Sequence, residues 1–181
     1  MHKEILNISI ECKKQLLPKD KDRKHYNYNS DYDNMTKVFF DLSESFYKRD
    51  VVFIYKLKGV EFMTSSLELG AFLENFYNLV LFSIDKKIEK NELNFSFQEY
   101  NSLSVFKKVK NNRYSFSFED RMLPEFTVVD AIVSILDLRL ILITFYHRVI
   151  YLAKNLCPYI SKSELFIVWQ SDMNFLFTNY Y

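Results

Sequence analysis

The chain has 181 residues, a length typical of one domain or of one domain with an attached arm. Hydrophobic residues make up 49% and charged residues 26%, which is typical of a packed domain and argues against intrinsic disorder. The formal charge of +1 gives no field that would steer the whole molecule to nucleic acid, and two glycines are too few for a Walker loop or a dinucleotide fingerprint.

The first 35 residues differ in composition from the rest. Apolar and polar residues alternate near the start, the apolar ones being Leu6, Ile8, Ile10 and Cys12. This alternation predicts an edge strand. The run from Lys13 to Asn34 is polar and contains several tyrosines, which favours a solvated linker over a tyrosine-rich contact surface. We therefore expect an N-terminal arm or long loop over residues 1–35 and one domain over residues 36–181.

Strand patterns follow from Thr36 to Met63. Val38, Phe40 and Leu42 alternate with Phe39, Asp41 and Ser43, which predicts a first strand. The segment Val51–Leu57 is β-branched and aromatic, Lys58 and Gly59 favour a turn, and residues 60–63 return as a second strand. An antiparallel hairpin or meander is expected here.

A helix is predicted from Leu67 to about Lys86. The hydroxyls of residues 64–66 are suited to cap its first turn. The apolar stripe consists of Leu69, Phe72, Leu73, Phe76, Leu79 and Val80. These residues recur at spacings of three and four, as one face of a helix requires, and Glu68 and Glu74 lie off that stripe.

Three short antiparallel strands are predicted next, over residues 93–97, 103–109 and 114–118. Residues 110–113 form a good tight turn between the last two, because Asn tolerates the left-handed backbone of such turns. Pro124 is expected to close this strand region.

The C-terminal third is predicted to be helical. Thr127 is suited to cap a long helix through about Leu156, and Pro158 followed by residues 161–164 marks its end and a fresh helix start. The tail that follows is apolar, its large residues being Leu165, Phe166, Val168, Trp169, Phe175, Leu176 and Phe177. Such a tail is expected to dock on the core or on a partner. The predicted fold is α+β: an antiparallel sheet of about five strands packed against two main helices, over residues 66–86 and 127–156.

Location is inferred from three absences in the sequence. Cys12 and Cys157 have no spacing typical of a metal or disulfide site, which fits a reducing compartment. The N-terminus lacks the apolar run of a secretory signal. The most apolar stretch, residues 131–146, carries Asp137 and Arg139 in its middle, which favours a core helix over a membrane span. We therefore expect a cytoplasmic protein without a membrane span.

Catalytic chemistry has little support in the sequence. Of the histidines His2, His25 and His147, none lies in a context that supplies a nucleophile and an orienting acid. No pair of His and Cys stands at metal-ligand spacing. The sequence predicts no catalytic residue, no metal and no cofactor. An enzyme remains an alternative if the carboxylates of Glu68, Glu74 and Asp137 converge in one pocket after folding.

One basic cluster surrounds the predicted hairpin turn and consists of Lys107, Lys108, Lys110 and Arg113. Such a cluster can contact phosphates, or it can protect an exposed edge from self-pairing. The scarcity of arginine, the side chain of the commonest specific base contact, disfavours nucleic acid.

Two further charges belong to the same candidate set. Asp137 lies on a narrow polar stripe of the predicted long helix, and Arg139 falls among its apolar residues. Because an unpaired buried charge is costly, we expect Arg139 to reach solvent, to pair with a carboxylate or to contact a ligand or partner. Together with the basic cluster, Asp137 and Arg139 are the predicted partner-binding residues.

The order of elements resembles that of small bacterial immunity proteins, the cognate antitoxins of polymorphic and contact-dependent growth-inhibition toxins. The likeness covers about residues 36–156 and includes the helix start Ser66-Leu67-Glu68-Leu69-Gly70-Ala71-Phe72-Leu73 and the strand Leu93-Asn94-Phe95-Ser96-Phe97. It implies a cytosolic, non-catalytic α+β domain that occludes the active site of a toxin. The alternatives are a viral or mobile-element interaction protein and a nucleic-acid-binding domain that uses the basic hairpin at residues 107–113.

Overall fold

A computed structural model describes residues 6–13, 28, 33–63, 67–84, 92–97, 102–120 and 128–181. Its elements in chain order are β1 (Leu6–Cys12), α1 (Met35–Tyr47), β2 (Val51–Leu57), β3 (Val60–Met63), α2 (Leu67–Ile84), β4 (Glu92–Phe97), β5 (Ser102–Val109), β6 (Arg113–Asp120), β7 (Val128–Ser134), α3 (Ile135–Leu156), α4 (Pro158–Ser161) and α5 (Glu164–Tyr180). The fold is α+β, as predicted. The described residues form seven strands in two antiparallel sheets and five helices, rather than about five strands in one sheet with two main helices.

The smaller sheet has the strand order β1-β2-β3. β1 pairs with β2 from Leu6 opposite Leu57 to Cys12 opposite Val51, so the predicted edge strand is confirmed. The predicted β2-β3 hairpin is also confirmed, and its turn residue Gly59 has a φ of 83°, a conformation that favours glycine. Most of the predicted arm, residues 14–27 and 29–32, lies outside the described residues.

The prediction of a strand around residues 38–42 is wrong, because α1 is a helix over Met35–Tyr47. The Asn34 side chain caps it by accepting a hydrogen bond from the Lys37 amide at 3.1 Å. Its buried residues are Val38, Phe39, Leu42, Ser43, Ser45 and Phe46. Phe40, which the strand reading placed beside Val38, is 48% exposed. The apolar residues therefore follow a helical period rather than a period of two.

The predicted helix over residues 67–86 is confirmed as α2, Leu67–Ile84, and all six residues of its predicted stripe are buried. α2 packs against α1 at Gly70, where an added Cβ would lie 3.1 Å from the ring of Phe40. The Gly70 amide also donates to the Ser43 hydroxyl at 3.2 Å. Glu68, although off the stripe, is buried in the first turn of the helix. The predicted cap at residues 64–66 lies outside the described residues.

The larger sheet has the order β4-β5-β6-β7, and its first three strands confirm the three predicted ones. Val109 of β5 pairs with Arg113 of β6, which leaves a three-residue loop, and its residues Asn111 and Asn112 both have positive φ, at 63° and 54°, as expected for asparagine in a tight hairpin turn. Pro124, expected to close the strand region, lies outside the described residues.

The prediction of one helix over residues 127–156 is wrong in its first part. Residues 128–134 form β7, which pairs antiparallel with β6, and α3 begins only at Ile135. β7 contains four β-branched residues, Val128, Val129, Ile132 and Val133, which suit a strand. Ser134 caps α3 by accepting a hydrogen bond from the Asp137 amide at 3.1 Å. Thr127, the predicted cap, lies outside the described residues.

The fresh helix start after Pro158 is confirmed, since Ser163 caps α5 by accepting from the Phe166 amide. One side of α5 docks on the core, as predicted for the apolar tail, and its buried residues are Phe166, Trp169, Met173, Leu176 and Phe177. Val168 and Phe175 from the same tail are exposed. The tail therefore packs on one face and presents apolar side chains on the other.

The core is built largely from aromatic rings. The rings of Phe53, Phe72, Phe76 and Phe145 lie with centroids 5.1–5.9 Å apart and join β2, α2 and α3. The Tyr55 hydroxyl lies 2.6 Å from the Ser104 hydroxyl and connects the two sheets, and burial raises the pKa of Tyr55. Over the residues the structure describes, no helix has the length and apolar character needed to cross a bilayer.

Candidate functional site

The predicted basic cluster lies at the end of the β5-β6 hairpin, beside the start of α3. The Ile135 amide donates to the Asn112 carbonyl at 3.0 Å, and Arg113 pairs with Ser134 across the sheet. The turn and the first turn of α3 are therefore one continuous surface. We call it the hairpin-α3 surface and define it by Lys110, Arg113, Ile132, Leu136 and Leu140.

Three large aliphatic side chains on this surface are exposed. Leu136 is 72% exposed and Leu140 is 64% exposed, and Ile132 on β7 is also exposed. Leu136 and Leu140 are four residues apart, so they lie on the same side of α3. The exposed residues His147 and Tyr151 continue along that side. The first two turns of α3 thus carry exposed leucines as well as buried ones.

A cleft of about 300 Å³ opens at the hairpin end. It is lined by Ile84, Lys108, Val109, Asn112, Arg113, Tyr114 and Ile135. The Lys108 ammonium lies 4.8 Å from the centroid of the Phe82 ring, a cation–π distance that holds the charge beside the end of α2. Both charged residues that line the cleft are cations, so the cleft suits an anionic group.

Lys107 and Lys108 lie on opposite sides of β5. The Lys107 ammonium lies 3.1 Å from Glu92 on β4, and both side chains are exposed. This pairing lowers the pKa of the Glu92 carboxyl. Register places Lys107 beside Ser115 and, one strand further, Ile132, on the outer face of the larger sheet.

Arg139, expected to reach solvent, to pair with a carboxylate or to contact a ligand or partner, is half-buried and contacts a backbone carbonyl and an aromatic ring. Its Nη2 donates to the Ser83 carbonyl at 3.3 Å, and its guanidinium lies 5.3 Å from the centroid of the Tyr181 ring. The hydroxyls of Tyr181 and Ser83 are hydrogen-bonded to each other, and the Tyr114 hydroxyl donates to the Phe82 carbonyl at 3.1 Å. Arg139 therefore ties α3 to the ends of α2 and α5.

The tyrosines of this cluster are poor proton donors at neutral pH. Burial raises the pKa of Tyr181 to about 12, although the hydrogen bond to Ser83 and the charge of Arg139 act in the opposite direction. Burial also raises the pKa of Tyr114. A group whose pKa moves further from neutrality is unsuited to general acid-base work. Tyr114 and Tyr181 are therefore better suited to a structural role.

The three carboxylates of the enzyme alternative have different surroundings. Asp137 lies at the start of α3, where its Oδ2 accepts a hydrogen bond from Ser134 at 2.7 Å. Glu74 accepts from the Thr36 hydroxyl at 2.8 Å across the α1-α2 contact. Glu68 is buried six residues earlier on α2, about 9 Å along the helix axis from Glu74. Asp137 is thus engaged in the cap of α3, and Glu74 is engaged by the neighbouring helix α1.

Metal and thiol chemistry find no assembled site in the part of the chain that the structure describes. Within those ranges no three His, Cys, Asp or Glu side chains are grouped so as to hold a metal ion. Cys12 and Cys157 are not joined in a disulfide, and the first is half-buried and the second buried. His147 is exposed on α3, and its ring lies 5.4 Å from the ring of Tyr146.

The sequence located the basic turn but not the exposed leucines. A long core helix was expected over Leu136 and Leu140, although these two lie on the side of α3 opposite the buried Leu138, Leu142 and Phe145. The sequence signal that could have found these leucines is the presence of apolar residues on every side of a helix. That pattern indicates either full burial or a second contact surface.

No family model, no curated protein and no solved structure matches this chain. The resemblance to immunity proteins therefore stays a prediction, and it was based on an order of elements in which α1 was expected as a strand and β7 as part of the long helix. The function has to be argued from the surfaces themselves.

Proposed function

We propose that this chain is a non-catalytic protein-binding domain whose partner docks on the hairpin-α3 surface. The observation that carries the proposal is the exposure of Leu136 and Leu140, at 72% and 64%, beside the cations of the hairpin turn. In the isolated fold most of the surface of these two side chains stays in water and contributes no burial energy. Such residues gain their stabilisation when a partner removes them from water.

The composition of the surface favours a protein over nucleic acid. Protein interfaces combine an apolar centre with a polar and charged rim, and here the leucines supply the first and Lys110 and Arg113 the second. A phosphate-binding surface depends on cations and has no use for exposed leucines. Asp137, at the first turn of α3, would oppose phosphate.

We propose further that the partner is a protein toxin and that the chain neutralises it by stoichiometric binding, as the resemblance to immunity proteins implies. The cations at the hairpin turn would face an acidic part of the toxin surface, because complementary charge guides docking and excludes wrong partners. Occlusion of the toxin's active site needs no reactive group on this chain.

The test is purification of the tagged chain from its native host at moderate salt, followed by reconstitution of any complex from purified components. We expect one protein bound at 1:1, and we expect its toxic activity to be lost at one equivalent of this chain. The double variant Leu136→Asn/Leu140→Asn should weaken this complex at least about tenfold, since central apolar contacts carry most of the energy of an interface. Tyr47→Asn, at an exposed aromatic on α1, is the matched control and should bind as the wild type does.

Three other outcomes would each contradict a part of the proposal. Nucleic acid recovered alone and released by salt would move the function to the basic hairpin. A complex that survives the double leucine variant would place the interface elsewhere. If a 1:1 complex forms but the partner has no toxic activity, the binding function stands and the toxin assignment fails.

A further inference from the structure

A second cleft lies where α1, α2 and α5 meet, and none of its lining residues belongs to the β5-β6 hairpin. It measures about 250 Å³. α1 contributes Met35 and Phe39, α2 contributes Glu74 and Tyr77, and α5 contributes Trp169 and Asp172. We call it the aromatic-acidic cleft. Its volume lies just below the range of roughly 300–1,000 Å³ typical of small-molecule pockets, which suits a single side chain.

The aromatic wall of this cleft is held rigidly. Trp169 is only 6% exposed, and its ring packs edge-to-face against Phe39, with centroids 5.2 Å apart, and against Tyr146 at 5.7 Å. Tyr77 is partly exposed at the mouth. Ring faces carry negative electrostatic potential, so a wall of rings attracts a cation.

The charge of the cleft has a single sign. The lining holds two charged side chains, Glu74 and Asp172, both carboxylates and both exposed. Glu74 is oriented by the hydrogen bond from Thr36 at 2.8 Å. Lys37, the next residue on α1, has its ammonium 2.6 Å from Asp33. Two carboxylates thus lie at the mouth of an apolar cleft, and the neighbouring ammonium of Lys37 is paired with Asp33.

We propose that the aromatic-acidic cleft binds a protonated lysine side chain of a partner protein. The four-carbon stem of lysine would lie against Met35, Phe39 and Trp169, and its ammonium would reach Glu74, Asp172 and the ring of Tyr77. This inference rests on the proposed protein-binding function but concerns a different surface and the opposite charge. The hairpin-α3 surface addresses acidic groups of the partner, and this cleft addresses a basic one.

Trp169 provides a local reporter, because it is the only tryptophan in the sequence. Fluorescence excited selectively at tryptophan therefore reads the cleft alone. The full chain is titrated at low salt with the capped tripeptide acetyl-Gly-Lys-Gly-amide. The neutral comparison is the same peptide with norleucine, which keeps the four-carbon stem and lacks the ammonium.

We expect a saturable change in Trp169 emission with a Kd of about millimolar for the lysine peptide, and binding of the norleucine peptide at least about tenfold weaker. The double variant Glu74→Gln/Asp172→Asn should weaken the lysine peptide by about tenfold, and added salt should weaken it too. Glu164→Gln removes an exposed carboxylate from the same helix outside the cleft and should change neither value. Circular dichroism of each variant checks that it is folded.

Three results would overturn the inference: no saturable emission change, equal binding of the norleucine peptide, or equal binding by the double variant and the wild type. None of them bears on the proposed function, which is read from complex formation by Leu136 and Leu140 variants. Conversely, if no partner complex forms but the lysine peptide changes the Trp169 emission, the proposed function fails and the cation site stands.

Discussion

Phe145 is the residue whose truncation should cost this fold most. Its side chain is 1% exposed, and its ring lies 5.3 Å from the rings of Phe72 and Phe76 and 5.9 Å from that of Phe53. Phe145→Ala removes a whole ring at the junction of β2, α2 and α3. Buried Phe→Ala changes cost about 3–5 kcal/mol, as lost transfer energy plus the cavity left behind. The three ring contacts place Phe145 towards the upper part of that range.

The assay is urea unfolding followed by far-UV circular dichroism. In thermal unfolding of a chain of this size, the same loss of about 4 kcal/mol would lower the melting temperature by about 8–16 °C. Phe175→Ala is the matched control, because Phe175 is 61% exposed on α5, and it should change the free energy of unfolding by no more than about 0.5 kcal/mol. Equal losses for the two variants, or a loss below about 1.5 kcal/mol for Phe145→Ala, would refute the packing described for this core.

Two further predictions concern the pKa of Tyr181 and the hairpin turn. Burial raises the pKa of Tyr181 to about 12, above the roughly 10 of an unfolded chain, so its contribution is full below pH 10 and is lost as the pH rises towards 12. Unfolding measured from pH 8 to 12 should show a shallower fall for Tyr181→Phe than for the wild type, and parallel curves would contradict the burial. At Asn112, with φ of 54°, Asn112→Gly should be nearly neutral, whereas Asn112→Val should cost about 1–2 kcal/mol in urea unfolding. Equal stability of those two variants would show that the backbone there is not left-handed.

The parts of the fold that were predictable have one dominant local signal. The segment Val51–Leu57 is β-branched and aromatic, the strand Tyr114–Phe118 alternates cleanly, and the stripe of α2 repeats at three and four. The two asparagines of the β5-β6 turn identify a tight turn by their chemistry. Each of these elements was confirmed because no competing period fits its residues.

The failures occur where two periods fit the same residues. In α1, Val38 and Leu42 belong both to an alternating set with Phe40 and to a helical set with Phe39 and Phe46. The Asn34 cap and packing on α2 at Gly70 decide for the helix. In residues 127–134 the polar residues stand at helical steps, but pairing with β6 makes this segment a strand.

The candidate surfaces were only partly readable from sequence. The basic turn could be found in the sequence, because its four cations are neighbours in the chain. The aromatic-acidic cleft could not be found there, because Phe39, Tyr77 and Trp169 come from three helices separated by up to about 130 positions. Such a site exists only after the helices have packed, and no local pattern encodes it.

The pairing of β1 with β2 has a consequence for the order in which the chain is built. Register joins Leu6 to Leu57 and Cys12 to Val51, about forty to fifty positions apart, whereas β4 to β7 pair with sequence neighbours. On the ribosome, β1 emerges first, yet it has no strand to pair with until β2 has been synthesised. The larger sheet has no such delay, because each of its strands meets the preceding one at once. Of the described strands, the first to be made therefore stays without its partner strand while about forty further residues are added.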